Sequence, residues 1–486
     1  MRNPLHSVRL TFSAAYTFWT AALAPLGVAL FLGTRHEELE LYLLAAIVAG
    51  AAVFALVTFR GRRVAGWAAA AATWLVRHRR RPDVPTEAVI GATVQPGDPV
   101  AVRWEGRSLV AVIKLIPQPF TPTVVVDGRA STDDVLDTKL LEHVLAVSCP
   151  DLEADVVSAG YRVSRSAAPD VADFYTQLID RDPAPAYRRT WIMLRATPQT
   201  AQRSAQRRDA DIAGLAQYLV ASATRVADQL AEKGIDAVCE FSFRDYDDAT
   251  EISFESEKWS TVKGQGDYTT AYAAPGGPDA WWSVPADRTI TRVRVAAGLA
   301  PRSTVLLTTA GKPRRPRGFS PVSGGQRDAL GGRVLTADSH RRLPIGSAGV
   351  LVGETANRHR LYLPFDDGDA GITLGDARMF TQFTVRAAAA GGVVTLHPEF
   401  QEFASLIGGQ IGPEAKVEWL RSTTYISPRP GIDSVVLGHD VLRTPRNRQV
   451  PIEPITPPEE GRYQQALPGA GRSAPRGTRP RQDAGG

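Results

Sequence analysis

The sequence predicts a mixed α/β (α+β) region in the cytoplasm, preceded by a two-helix transmembrane hairpin. Two uncharged apolar runs stand near the N-terminus, and strand and helix patterns alternate from about residue 95 onward. Such alternation is typical of a sheet covered by helices. With 486 residues the chain is too long for one compact domain, so we expect several units.

The apolar runs, residues 12–32 and 41–59, predict the two transmembrane helices. Each is close to the ~20 residues that cross a hydrocarbon core, and neither contains Asp, Glu, Lys, Arg or His. The first run also has a cleavage-like Ala-Leu-Ala at 22–24, but it exceeds the roughly 7–15 residues of a signal-peptide core. Ala46 and Gly50 are small residues four positions apart, which lets helices pack closely. They predict either docking against other membrane subunits or packing of the hairpin on itself.

The charges that flank these runs predict the orientation. The connector at 33–40 is rich in Glu, whereas a basic collar follows the second run. Lys and Arg accumulate on the cytoplasmic side, so we expect a multi-pass plasma-membrane protein with both termini in the cytoplasm. Trp67 and Trp74 share one helix face beside the collar and are predicted to be interfacial anchors at the anionic inner leaflet. The basic collar consists of Arg60, Arg62, Arg63, Arg77, Arg79, Arg80 and Arg81.

Composition divides the chain into five segments. Residues 1–60 form the hairpin, and 61–94 form a basic juxtamembrane helix and linker. Residues 95–248 and 249–443 are predicted to be two α/β halves of the cytoplasmic domain. Residues 444–486 are rich in Pro, Gly, Arg and Gln and lack apolar periodicity, so we predict a disordered tail.

Individual elements follow from periodicity and caps. A helix is predicted to start at Ser131, because Asp134 follows three residues later as in a capping box. The clearest helix runs from about 208 to 233 and ends at Gly234. Further strands are predicted at 100–104, 109–116, 190–196, 289–295, 304–309, 349–353 and 360–364, and a helix at 376–390.

No enzymatic motif stands out in the sequence. The chain has no GxxxxGK[ST] phosphate loop, GxSxG elbow or HExxH helix. Val322-Ser-Gly-Gly-Gln326 resembles the signature loop of ABC-type ATPases, which acts only opposite such a phosphate loop. We therefore predict that Gly324 and Gly325 make a turn that opens a helix at Gln326. The basic segment 312–317 lacks interleaved aromatics, which favours a solvated loop over a nucleic-acid site.

Cysteine and acidic residues leave one alternative open. Two cysteines, Cys149 and Cys239, make neither a disulfide framework nor a metal spacing, so we predict no cofactor and no metal. Asp-x-Asp strings can hold a divalent cation in transferases that use nucleotide-sugars. Such strings occur by chance in a chain of this length. If the protein were a membrane-tethered glycosyltransferase-like enzyme at the inner leaflet, its candidate ligands would be Asp245, Asp247, Asp367 and Asp369; a further string at 209–211 begins a predicted helix.

The order of several weak motifs resembles the EccE family, a membrane component of the type VII (ESX) secretion machinery of actinobacteria. The resemblance covers roughly residues 1 to 440. After the hairpin, it is carried by Trp67 to Arg81, Val102-Arg-Trp-Glu-Gly106, Thr190-Trp-Ile-Met-Leu-Arg195, Pro321-Val-Ser-Gly-Gly-Gln326 and Gly349-Val-Leu-Val-Gly353.

This resemblance implies a non-enzymatic structural subunit of a hetero-oligomeric translocon with EccB, EccC and EccD. The complex would export proteins of the WXG100, PE or PPE kind. The resemblance also implies a cytoplasmic region similar to a glycosyltransferase fold without an established activity, so no catalytic residue is carried over. A third hypothesis is an anchored regulator that binds a soluble partner through the tail, which truncation at Thr444 would test.

Overall fold

The computed structural model describes residues 8–10, 57–59, 62–63, 66–67, 71, 74–75, 89–92, 100–207, 212–438, 440–445, 448–455 and 457–468. Most of the predicted transmembrane hairpin, with Ala46 and Gly50, lies outside these residues, as do Arg60, Arg77 and the rest of the collar up to Arg81. Within the described ranges, no helix combines the length and apolar character that a membrane crossing requires.

The described strands and helices follow in chain order. The strands are β1 (Val8–Leu10), β2 (Val57–Phe59), β3 (Arg62–Arg63), β4 (Val89–Ala92), β5 (Val100–Glu105), β6 (Ser108–Leu115), β7 (Thr123–Val126), β8 (Arg129–Ser131), β9 (Val135–Asp137), β10 (Glu153–Tyr161), β11 (Tyr187–Ala196), β12 (Ala237–Cys239), β13 (Ser256–Lys258), β14 (Thr261–Lys263), β15 (Tyr268–Ala273), β16 (Arg288–Ala296), β17 (Leu299–Thr309), β18 (Ser320–Pro321), β19 (Thr336–Ala337), β20 (Arg342–Pro344), β21 (Val350–Glu354), β22 (Arg360–Leu363), β23 (Ala370–Leu374), β24 (Val393–Leu396), β25 (Gln410–Ile411), β26 (Lys416–Glu418), β27 (Thr423–Tyr425), β28 (Asp433–Leu437), β29 (Val441–Arg443) and β30 (Gln449–Pro451). The helices are α1 (Thr138–Ser148), α2 (Pro169–Ile179), α3 (Pro198–Gln206), α4 (Ile212–Glu232), α5 (Arg244–Thr250), α6 (Pro278–Trp282), α7 (Gln326–Leu330), α8 (Ala377–Ala389), α9 (Gln401–Ile407) and α10 (Gly461–Gln465).

The short strand β2 lies where the second transmembrane helix was predicted to end. It pairs antiparallel with β1, and β3, which contains Arg62 and Arg63, pairs with β2 in turn. Val, Thr and Phe at 57–59 are β-branched or aromatic residues that favour strands. The structure therefore differs from the predicted helix 41–59 in its last three residues.

A large antiparallel sheet forms the centre of the domain. Its main path runs β13-β14-β15-β17-β16-β10-β11-β6-β5-β4, with β12 on β6, β18 on β15 and β19 on β17. Strand β10 pairs with β16 over eight residues, 153–160 against 289–296. The predicted division between residues 248 and 249 therefore cuts through one sheet. Pairing between strands so far apart in sequence leaves no local signal, so the boundary predicted at 248/249 is corrected: strands on both sides of it belong to the central sheet.

One face of this sheet is covered by helices α1 and α4. They enclose the largest hydrophobic core, in which Leu141, Ile192 and Leu219 are fully buried. Helix α1 begins after Asp137, whose carboxylate accepts a hydrogen bond from the Lys139 backbone N–H at 2.8 Å. The predicted start at Ser131 was wrong, because Ser131 ends strand β8 and pairs with β7.

The predicted helix 208–233 is confirmed from Ile212 to Glu232 as α4. The chain leaves it through Gly234, which has a φ of +79° that suits glycine. Strands β5, β6, β11, β16, β21 and β22 and helix α8 also match their predictions to within three residues at each end. The predicted mixed α/β composition is confirmed by these elements.

A second sheet and a second core lie in the C-terminal part. Its order is β25-β24-β26-β27-β23-β28-β29-β30, and β23 runs parallel to both of its neighbours. Helix α8 packs into the core between this sheet and the four-stranded sheet β21-β22-β7-β8. Asp376 caps α8 by accepting a hydrogen bond from the Met379 N–H at 2.8 Å.

The segment after Thr444 is folded as far as residue 468 in its described parts. Strand β30 pairs with β29, and Tyr463 of α10 is buried in the second core. Glu460 and Arg386 are both fully buried and form an ion pair at 2.8 Å. The predicted disordered tail is therefore wrong for these residues. Sequence periodicity missed them because a buried ion pair and a few apolar contacts, not a continuous apolar stripe, hold the segment.

Candidate functional site

A cluster of three tryptophans joins the predicted juxtamembrane segment, residues 61–94, to the central sheet. Trp67 and Trp74, predicted as membrane anchors, lie in a segment that is helical at 66–67, 71 and 74–75. The ring of Trp67 stacks on Trp259 with 5.9 Å between centroids, and Trp74 meets Trp259 edge-on at 6.0 Å. Trp259 is at the turn between β13 and β14. We name this cluster the tryptophan junction.

The glycine-rich string at 322–326 supports the tryptophan junction. The Gly324 N–H donates a hydrogen bond to the Trp259 carbonyl at 2.7 Å, and Gly324 has a φ of +73°. Gln326 is fully buried, accepts from the Ala271 N–H at 2.7 Å and donates to the Ala271 carbonyl at 3.1 Å. The predicted turn and the helix that opens at Gln326 are confirmed. The resemblance to an ATPase signature thus has a structural explanation.

A buried ionic network lies on the face of the central sheet that is opposite helices α1 and α4. Asp155 is fully buried between Arg195 at 2.7 Å and Arg294 at 2.6 Å. Burial alone would raise the pKa of Asp155, but these guanidinium groups hold it well below its usual range. Glu105 lies between Arg103 at 2.8 Å and Arg195 at 2.7 Å. The network joins strands β5, β10, β11 and β16 through these ion pairs.

The acids proposed as metal ligands have other partners. Both oxygens of Asp247 accept from Arg103 at 2.7 Å, and Asp369 accepts from the Thr423 N–H at 2.7 Å. Asp245 pairs with Arg421, and Asp367 is 3.8 Å from Arg189.

Within the described residues, no group of three or more His, Cys, Asp or Glu side chains could hold a metal ion. The string at 209–211 lies outside those residues. The structure therefore gives the transferase alternative no support at its four candidate positions, although it brings Asp245 and Asp367 to one cluster of basic residues.

A small cleft lies beside this cluster of basic residues. Carboxyl groups line the cleft, and another is buried behind its wall. Asp134 and Asp367 line the cleft, together with Phe120, which has a φ of +54° that is unusual for an aromatic residue. Asp366 is buried beneath them and accepts from the Ser347 hydroxyl at 2.7 Å. Burial raises the pKa of Asp134 to about 6, and burial with the neighbouring Asp367 raises that of Asp366 to about 7.

Sequence reasoning missed this cleft. Asp134 was interpreted as a capping residue, yet its carboxylate accepts a hydrogen bond from the Gly346 N–H at 3.1 Å. The consecutive acids Asp366 and Asp367 follow the buried strand β22 after two intervening residues, and acids in such a place are the signal that could have indicated the cleft.

Taken together, these features define a mixed α/β body that contacts, through aromatic side chains, the segment 61–94 that was predicted to be juxtamembrane. The family model described as type VII ESX secretion system translocon, EccE, matches residues 184–274, a segment that includes Arg189 and Trp259.

Full-length relatives extend this match. The protein named ESX-1 secretion system protein EccE1 of Mycobacterium tuberculosis (strain H37Rv) is 62% identical over 468 residues, which cover 96% of this chain and 100% of that protein. The protein of the same name in Mycolicibacterium smegmatis is 55% identical over 96% of this chain and 99% of that protein. The ESX-2 secretion system protein EccE2 of M. tuberculosis (strain CDC 1551) is 26% identical over 69% of this chain and 67% of that protein.

The chain belongs to the EccE family of type VII (ESX) secretion components, as its motifs predicted. It is thus one component of a system that works with others, and the names of its relatives describe secretion components and no chemical reaction.

Proposed function

We propose that the protein is a non-enzymatic structural subunit of an ESX-1 type VII secretion membrane complex that supports export of WXG100, PE or PPE proteins. The observation that carries this proposal is 62% identity over the whole length of a protein named as an ESX-1 component. Its partners are other membrane subunits of the system, EccB, EccC and EccD.

The membrane part of the proposal rests on the charge pattern. The hairpin at 12–32 and 41–56, shortened at its end by strand β2, spans the plasma membrane, Ala46 and Gly50 pack against neighbouring helices, and both termini are cytoplasmic. The basic collar from Arg60 to Arg81 lies at the anionic inner leaflet. In this proposal the cytoplasmic body is similar to a glycosyltransferase in its fold, but it does not catalyse glycosyl transfer.

Within this subunit, the tryptophan junction sets the orientation of the cytoplasmic body. Trp67 and Trp74 follow the predicted membrane helices directly, and both contact Trp259. Each aromatic contact contributes about 0.5–1.5 kcal/mol beyond its buried area. The contacts support an attachment that restrains the body relative to the membrane segment, as a docking subunit requires.

Replacement of Trp259 tests this role. A strain that lacks its own copy would produce the full-length protein as wild type, Trp259→Ala or Trp259→Phe, with Phe254→Ala as an exposed aromatic control from the same region. We expect Trp259→Ala to reduce secretion of a WXG100 protein into the medium, while Trp259→Phe retains most of it. Wild-type secretion by Trp259→Ala at equal protein levels would refute the role of the junction.

Membership of the complex is tested separately. Tagged wild-type protein, purified in mild detergent, should carry EccB, EccC and EccD with it. Failure of these subunits to co-purify, in a preparation where the tagged protein is intact, would refute the proposed assembly. Protease treatment of protoplasts checks the orientation: cleavage of a tag at residue 480 in whole protoplasts would contradict cytoplasmic termini.

A further inference from the structure

Three basic side chains meet at one end of the central sheet, where it borders the second core. Lys114 of β6 faces the same side of the sheet as Arg189 of β11, because Trp191, two residues after Arg189, is directly opposite Lys114. Arg421 reaches them from the turn between β26 and β27. It pairs with Asp245, which is also 3.9 Å from the Lys114 ammonium group.

Arg189 is the most buried member of this basic cluster. Its side chain is 6% exposed, and none of its three guanidinium nitrogens has a hydrogen-bond partner among the described residues. The paired Asp367 oxygen is 3.8 Å away, which is beyond hydrogen-bond distance. A buried guanidinium without hydrogen bonds is unfavourable, so this group is suited to receive an acceptor.

The three cations also lie close enough to repel one another. Burial lowers the pKa of Lys114, and Arg421 and Arg189 lower it further. Three acids face these cations, namely Asp245, Asp367 and Glu240. Asp245 is shared between two cations, and burial raises the pKa of Asp367, which disfavours its charged form. The cluster is open to solvent on the Arg421 side, where that side chain is 33% exposed.

We propose that Arg189, Lys114 and Arg421 bind an oxyanion, namely a phosphate group. Two guanidinium groups offer paired N–H donors that match the oxygens of a phosphate, and the Lys114 ammonium adds a point charge. The group would complete the hydrogen bonds of Arg189 and relieve the repulsion between the cations. Asp367 and Asp245 compete with it for the same donors.

Calorimetric titration of the full-length protein in detergent tests the site. The wild type should bind inorganic phosphate saturably, one per chain, at constant ionic strength set with chloride. Arg189→Gln should weaken binding about tenfold or more, since it removes charge-assisted hydrogen bonds. Asp367→Asn should instead strengthen binding, because it removes a competing carboxylate. Arg302→Gln, at an arginine that pairs with Glu153 elsewhere in the sheet, is the matched control and should bind as the wild type does.

The source of the phosphate is distinguished by parallel titrations with a nucleoside diphosphate and with vesicles that contain a phosphatidylinositol phosphate. The tightest of the three identifies the source. Because Arg189→Gln could impair folding, Arg421→Gln at the exposed rim is measured as well, and it should also weaken binding. Absence of saturable binding to the wild type with all three probes, or unchanged binding by Arg421→Gln, would overturn the proposal.

Discussion

Removal of the Glu460 carboxylate should destabilise the protein strongly, although the composition of the segment around Glu460 is typical of disordered chains. Arg386 and Glu460 are both fully buried, with Nη2–Oε1 at 2.8 Å and Nε–Oε1 at 3.2 Å. Gln382 donates to the other carboxylate oxygen at 2.8 Å. Glu460→Gln keeps one oxygen that can accept from Arg386 but removes the negative charge, so the buried guanidinium would be left with neutral acceptors such as the carbonyls of Leu351 and Ile455.

The expected loss is large in proportion to the total stability. Breaking a buried ion pair by removing one partner costs about 3–5 kcal/mol, because the remaining charge stays buried without compensation. Native domains have only about 5–15 kcal/mol of stability in all. We therefore expect Glu460→Gln to release residues 449–467 from the second core at modest denaturant concentrations.

Urea denaturation of the full-length protein in detergent, followed by tryptophan fluorescence and by limited proteolysis, measures this loss. Glu459→Gln is the matched control, since Glu459 is the adjacent acid but is exposed. The double replacement Arg386→Leu with Glu460→Leu should recover part of the stability, because neither charge remains buried. A loss from Glu460→Gln no greater than from Glu459→Gln would refute the reasoning.

Three further predictions concern the central sheet and the acidic cleft. Asp155→Asn should cost about 3–5 kcal/mol in urea unfolding at pH 7, because three arginines lose their shared anion. Since the folded pKa of Asp155 lies well below the unfolded value, the wild-type advantage should begin to decrease as the pH falls below about 4 and should be lost only as the pH passes the folded pKa. For Asp366 the pH dependence of stability has the opposite sign. Its folded pKa of about 7 lies above the unfolded value, so its contribution to stability should fall as pH rises from about 4 to 7. Asp366→Asn should therefore make the free energy of unfolding depend less on pH over this range. Gly324→Ala should lower stability by about 1–2 kcal/mol, because alanine is strained at a φ of +73°, whereas Gly461→Ala, at a helical position with open space around the added methyl group, should not lower the thermal midpoint.

Local patterns predicted the elements well and the long-range arrangement poorly. The apolar stripe of α4 and the apolar run of β6 are local properties of the chain, and both elements formed where they were predicted. The pairing of β10 with β16 depends on contacts across more than a hundred residues, which no periodicity encodes. Asp134 shows the same limit at the scale of one residue: its spacing fitted a helix cap, but Gly346, distant in sequence, became its partner.

In the candidate site, too, local features could be predicted from the sequence and long-range contacts could not. Trp67 and Trp74 were identified because they share one helix face near the basic collar, which is a local pattern. Their contact with Trp259 could not be predicted, because Trp259 is almost two hundred residues away and lies in a polar stretch. The cationic cluster could not be predicted for the same reason, because Lys114, Arg189 and Arg421 come from three elements that are distant in sequence.

The N-terminal part of the chain contacts the central sheet near both of its edges, which bears on how the α/β body is oriented. The tryptophan junction lies at the β13–β14 edge, whereas β4, near the end of the predicted juxtamembrane segment 61–94, pairs with β5 at the opposite edge. The N-terminal part of the chain is therefore attached to the sheet at both ends of its strand order. A body held at one point could rotate about it, but a body held at two separated points could rotate only about the line that joins them. Loss of Trp259 would remove one of these points and leave the chain covalently intact, so an effect on secretion would report on orientation and not on the presence of the subunit.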